Sequence, residues 1–144
     1  MTMPDSPELD LSQLPGRRGS ASLLVGDEHT AARIGSGRAP VFATPTLVAL
    51  MERAAVACIE TALPAGQESL GVRIDVEHIA PTPVGLRVAA TAEVSAVSGR
   101  TVTFAVEARD DAGVIGKGRH TRVVVDSGRF RTRAEARRGR AHAD

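Results

Sequence analysis

The hydrophobic pattern of this chain changes period once, and that change sets its architecture. From Thr46 to Leu63 the apolar residues fall on nearly every side of a helical wheel, interrupted chiefly by Glu52, Arg53, Glu60 and Thr61. A helix apolar all round is a buried helix. Thr44 suits the N-cap, Pro45 suits the first helical position, and Pro64-Ala65-Gly66 stops the helix. The expected helix therefore runs from about residue 45 to 63. Beyond Gly66 the period becomes two. Leu70, Val72, Ile74, Val76, His78 and Ala80 share one strand face. Leu86, Val88, Ala90, Ala92, Val94 and Ala96 share the next, after the turn Pro81–Gly85. Val102, Phe104, Val106 and Ala108 follow the turn Ser98-Gly99-Arg100, and a last strand spans residues 114 to 125 after Asp110–Gly113. A shorter strand is expected at Ala21–Gly26, and a loop at Ala31–Pro40, where Gly35 and Gly37 cluster.

Consecutive strands joined by short turns make an antiparallel meander. With one long helix the class is α+β. A single sheet covers an all-round apolar helix only by curling around it, so the expected architecture is the hotdog fold, about five strands wrapped on a central helix. Its open edges call for pairing with a second copy.

The length of 144 residues suits one domain. We expect a loosely ordered segment over 1–18, the hotdog domain over 19–127 and an arginine-rich tail over 128–144. The net charge of +1 makes the whole chain no magnet for nucleic acid. The tail holds Arg129, Arg131, Arg133, Arg137, Arg138 and Arg140, and without it the chain is net acidic. Three Phe with no Trp or Tyr provide no stacking platform for single strands. Cys58 stands alone, which fits a reducing compartment and a cytoplasmic protein. The sequence shows no leader and no membrane span.

Several polar residues stand where the pattern calls for apolar ones. Glu52 interrupts the helix, and a carboxylate is rarely buried without a partner or a task. It is either a rim residue or the working group of a site. His78 lies on an apolar strand face, as a hydrogen-bonded core histidine or a catalytic one. His120 and Arg122 share a face with Val124, Gly116 and Gly118. Arg122 needs an anionic partner there, unless a bulge at either glycine turns it outward. The start of the helix offers free N–H groups near Thr46 that can hold an oxyanion.

Taken in order, Val41-Phe42-Ala43-Thr44, Glu52, Ser69-Leu70-Gly71, Glu77-His78, Thr82-Pro83-Val84-Gly85 and Gly118-Arg119-His120-Thr121-Arg122 resemble the fluoroacetyl-CoA thioesterase family of hotdog proteins. The resemblance spans about residues 41 to 125. It implies hydrolysis of an acyl-CoA or acyl-carrier thioester by a homodimer, with a dimer of dimers as a larger form and with sites at the subunit interface. It implies Thr44, Glu52 and His78 as catalytic residues, and Arg122, Thr46, Gly71 and His120 on the substrate side. No cofactor or metal is implied, since coenzyme A enters as part of the substrate, and no nucleic acid or membrane partner is expected. One departure is plain. The family's fluoroacetate-specific member has aromatic residues in a lid before the helix, whereas Ala31–Pro40 has none, so that substrate is not carried over.

Thr44 and Glu52 are eight residues apart, roughly 12 Å along a straight helix. They reach one reacting carbon from the same helix only if Thr44 lies off its end and folds back; a two-fold interface removes the difficulty, so a site shared by two subunits is expected. Three other readings compete. A non-catalytic acyl-CoA or acyl-carrier binding module would bind without releasing thiol. A hydratase would act on enoyl-CoA. A nucleic-acid binder would use the arginine tail.

Overall fold

The computed structural model describes residues 10–142. Strand β1 (Arg18–Leu24) is followed by a short helix α1 (Ala31–Ile34) and the long helix α2 (Thr44–Ile59). Strands β2 (Gln67–His78), β3 (Arg87–Ser98), β4 (Thr101–Asp110) and β5 (Gly113–Asp126) come next, and helix α3 (Ser127–Ala141) closes the chain. The five strands form one antiparallel sheet in the order β1-β3-β4-β5-β2, so β1 and β2 are its edges. The sheet curls around α2 as expected of the hotdog fold.

Alternation explains the core directly on β4, where Val102, Phe104, Val106 and Ala108 are all buried. Elsewhere bulges reset it. The register of β2 against β5 shifts between Gly71 and Arg73. An extra residue in a strand reverses the face of everything on its far side. Val72 is therefore 59% exposed, and Ser69 rather than Leu70 faces inward. A second shift between Val94 and Ala96 turns Ala96 outward. The bulge imagined at Gly116 or Gly118 falls instead beside Ile115, where the β4–β5 register shifts between Ala108 and Arg109. Arg122 consequently stays inward and is 6% exposed. Gly116 permits close packing of the helix, because a Cβ there would lie 2.9 Å from Leu47 Cδ2.

Two expectations about α2 need correction. The sheet covers one side only: Leu47, Leu50, Met51, Ala54, Ala55, Cys58 and Ile59 are buried, while Ala49, Arg53, Val56 and Ala57 are exposed. A five-stranded sheet is too narrow to enclose the whole helix. The α-helix also ends at Ile59, with Glu60–Ala62 in a tighter 3-10 turn.

Part of the expected loose segment over 1–18 is folded. Residues 1–9 lie outside the described chain. From Leu11 a 3-10 turn leads to Leu14, which is buried against the core, and Arg17 Nε donates to Cys58 O at 2.6 Å. Leu11 and Leu14, three apart, supply an apolar face that the surrounding Pro, Ser and Asp mask in the sequence. At the other end the tail is helical over almost its whole described length. Among the described residues, no helix is long and apolar enough to cross a membrane.

Candidate active site

The first group of site residues gathers at the start of α2. Thr44 is not the N-cap. Ala43 takes that position with no capping side chain, and Thr44 is the first helical residue with Pro45 behind it. Its hydroxyl is thereby free of capping and lies 2.8 Å from His78 Nδ1, at the end of β2. The Thr46 hydroxyl does not replace the cap, because it donates to Ala43 O at 2.7 Å and accepts from no helix N–H. With no side chain on the cap, the first N–H groups of the helix face outward as a ready site for developing negative charge.

His78 makes an edge-on contact with Phe42, ring centroids 6.5 Å apart. Its Nε2 is buried and has no partner among the described residues. Burial lowers its pKa below the ordinary histidine value of 6.5. His78 is therefore a neutral base that meets the Thr44 hydroxyl through Nδ1, while the Ala80 backbone offsets part of the effect of burial. A hydroxyl within hydrogen-bond reach of a neutral imidazole is the arrangement that activates it as a nucleophile. Phe42, Thr44, His78 and Ile79 line a cavity of about 330 Å³. Its outer wall includes Ala31 and Ser36 from the segment before the helix. That segment is not a plain loop: Ala31–Ile34 is helical and Gly35, at φ 81°, ends it in the left-handed conformation.

The second group lies further along α2, against β2 and β5. Glu52 Oε2 is 3.4 Å from Arg122 Nη1; the carboxylate side chain is 42% exposed and the guanidinium 7%. Arg122 is held on every side. Its Nε donates to Ser69 Oγ at 2.8 Å and its Nη2 to Ser69 O at 3.0 Å. Its Nη1 lies 3.1 Å from His120 Nε2. A guanidinium only donates, so that nitrogen of His120 carries a lone pair. Its Nδ1–H then donates to Arg73 O at 2.8 Å. Burial is the main reason the His120 pKa is lowered, and the Arg122 charge lowers it further. Glu60 completes the cluster by accepting from Ser69 Oγ at 2.8 Å and Ser69 N at 3.1 Å.

Gly71 sits at the centre of this cluster. A Cβ there would stand 2.7 Å from Glu52 Oε2, 3.1 Å from His120 Cε1 and 3.3 Å from Arg122 Nη1. The glycine thus makes room for the carboxylate. The second group opens onto a hollow of about 460 Å³ lined by Ser20, Arg53 and Val56. A larger depression of about 1050 Å³ on the outer sheet face shares Ser20 with that hollow but includes none of Thr44, Glu52, Gly71, His78, His120 or Arg122.

Within one chain the residues named from the sequence thus fall into two clusters: Thr44, Thr46 and His78 in one, and Glu52, Gly71, His120 and Arg122 in the other. Sequence reasoning did not assign Glu60 a role, nor Ser69 its role as the clamp on Arg122. The signal for Ser69 was hidden, because only the bulge at Val72 turns it inward.

The fold is that of the hotdog-fold thioesterases. The profile of the FlK family, fluoroacetyl-CoA-specific thioesterase, matches residues 25–128, and the chain belongs to that family. A fluoroacetyl-CoA thioesterase from Streptantibioticus cattleyicolor is 44% identical over 90 residues, 62% of this chain. That alignment spans 65% of the relative's own length. A crystal structure of a fluoroacetyl-CoA-specific thioesterase variant with fluoroacetate and CoA superposes with TM-score 0.75 at 38% identity, covering 81% of this chain and 98% of the other. A thioesterase superfamily member from Thermus thermophilus superposes with TM-score 0.84 at 28% identity, covering 90% and 96%.

Proposed function

We propose that this protein hydrolyses a small acyl thioester of coenzyme A to free acid and thiol, at a site shared by two copies of the chain in the cytoplasm. The observation that carries this reading is the 2.8 Å pair of Thr44 and His78 at an uncapped helix start. The cavity beside it, about 330 Å³, admits a short acyl group. Its rim segment, Ala31–Pro40, has no aromatic residue. The rim therefore provides no aromatic cover for the acyl group, and the cavity limits it only in size.

In the scheme, the Thr44 hydroxyl attacks the thioester carbonyl as His78 Nδ1 takes its proton. The helix N–H groups hold the oxyanion. The C–S bond breaks, the proton on His78 passes to the departing thiolate, and an acyl ester remains on Thr44. Glu52 of the second subunit then accepts a proton from water, which attacks that ester; the C–O bond to Thr44 breaks, the acid leaves, and the proton on Glu52 returns to the Thr44 oxygen. Arg122, fixed by Ser69 and His120, keeps Glu52 in place.

A homodimer is favoured by the exposed apolar side of α2, including Val56, and by the open edge of β2, where Val72 is exposed. A dimer of dimers is a further assembly open to the same chain.

Two measurements test this. A panel of acyl-CoAs is followed for thiol release; binding without release would make the protein a carrier-binding module instead. Next, Thr44→Val and Glu52→Gln variants, each inactive, are mixed and allowed to exchange subunits. In a shared site each mixed dimer keeps one intact site, so about a quarter of wild-type activity returns if subunits mix at random. No recovery would place both residues of a site in one chain.

A further inference from the structure

Helix α3 buries no residue, yet six of its fifteen positions are arginine. Its two sides differ. At 3.6 residues per turn, Arg129, Arg133, Arg137 and Arg140 fall within roughly 80° of the helix circumference, in a stripe about 16 Å long. Arg131 and Arg138 lie on the opposite side. Those two are the paired ones: Arg131 Nη2 is 3.7 Å from Glu68 Oε2, and Arg138 Nε is 3.0 Å from Glu135 Oε2. Among the described residues the four arginines of the stripe have no ion-pair partner.

Folding does not explain this stripe. Arginines four apart repel and weaken an isolated helix. The helix also lies almost wholly outside the family match, which ends at residue 128. It is an addition to the fold that concentrates positive charge on a domain otherwise net acidic.

Its position is fixed by short contacts. The Asp126 carboxylate caps it by accepting from Arg129 N at 2.9 Å, and Ser127 N donates to Gly66 O at 2.9 Å. Arg131 reaches Glu68, the neighbour of the Ser69 that clamps Arg122. The foot of α3 therefore stands at the start of edge strand β2, on the outward side of the strand whose next residue, Ser69, turns inward to Arg122.

We propose that the stripe Arg129, Arg133, Arg137 and Arg140 binds the phosphates of the nucleotide end of coenzyme A. This rests on the thioesterase reading and deepens it, since it selects a coenzyme A thioester over a carrier-protein one. The nucleotide carries a diphosphate and a 3′-phosphate, about four negative charges near neutral pH. Guanidinium forks match phosphate oxygens in pairs. A carrier protein offers a single phosphodiester at the same place. An acidic protein surface fits less well, because the stripe has no apolar anchor of the kind that forms the centre of such interfaces.

The test replaces the four arginines by glutamine (Arg129→Gln, Arg133→Gln, Arg137→Gln, Arg140→Gln) in the full chain. KM and kcat are measured for acetyl-CoA and for S-acetyl-pantetheine, which lacks the nucleotide. Melting and circular dichroism check that the fold is kept. The expected result is a KM for acetyl-CoA raised on the order of tenfold, kcat unchanged, and S-acetyl-pantetheine unaffected. For the wild type, KM should rise with salt for acetyl-CoA alone. An unchanged KM, or an equal change for both substrates, overturns the proposal. So does a variant that loses only affinity for a DNA duplex. If the wild type cleaves no member of the acyl-CoA panel, the hydrolase reading fails, and calorimetry with CoA and with pantetheine still decides the stripe: equal affinity for the two would overturn it.

Discussion

The Thr44 hydroxyl and His78 Nδ1 are 2.8 Å apart, although 34 residues separate them in the chain. The contact exists because Ala43, not Thr44, caps α2. A threonine at the cap would spend its oxygen on a backbone N–H. One position further on, the hydroxyl is free to meet the imidazole. Thr44→Val should therefore lower kcat by roughly 10²–10⁴-fold, as should His78→Ala. Mass spectrometry of an acyl-enzyme adds a direct check: Glu52→Gln should accumulate acyl-Thr44, and Thr44→Val should not. Wild-type turnover by either Thr44→Val or His78→Ala would leave that residue without a catalytic role.

Gly71 provides a way to move Glu52 without altering it. Gly71→Ala places a methyl group 2.7 Å from Glu52 Oε2. The carboxylate is the flexible partner and should swing away, breaking the 3.4 Å contact with Arg122. Activity should fall toward that of Glu52→Gln, while the melting temperature changes little, because Gly71 lies in extended backbone that alanine also adopts. A large stability loss with normal kcat would mean that the cluster is structural.

Ser69 is the clamp on the buried arginine. Ser69→Ala removes the acceptor for Arg122 Nε and the hydroxyl donor to Glu60. Leaving such groups unpaired should cost about 1–3 kcal/mol, read by denaturant unfolding. Activity should fall as well, since Arg122 would lose its fixed orientation toward Glu52. Ser69→Thr, which keeps the hydroxyl, should retain more of both.

Burial lowers the pKa of His78 and of His120 below 6.5. In the window below 6.5 and above each folded value, the unfolded chain binds more protons than the folded one. Stability should then fall as pH drops through that window and level off above it. Melting temperature against pH measures this, and His120→Gln should flatten part of the slope. The acid limb of kcat/KM should also lie below pH 6.5, because His78 must be neutral to take the Thr44 proton. An acid limb above 6.5 would rule out a depressed His78.

Much of the fold is legible in the sequence. The period of two placed β4 and the inward side of β5, and Arg122 and His120 lie where that alternation put them. The failures are specific. Val72 and Ala96 were assigned inward, and bulges turned both outward. Leu14 was assigned to a loose segment and belongs to the core. An added residue in a strand leaves the same local pattern of apolar and polar residues while reversing which face they occupy.

The sequence by itself determined the kinds of element, their order and the short list of polar residues on apolar faces, because periodicity is a local property of the chain. Only the tertiary structure decided how those residues are grouped. It separated Thr44 and His78 from Glu52 and Arg122, turned Ser69 and Gly71 inward, and made the arginine tail a helix with one unpaired face. Each of these depends on register between strands distant in the chain, or on where a helix begins to the residue. Hydrophobic pattern constrains register only to its parity, and parity is what a bulge reverses.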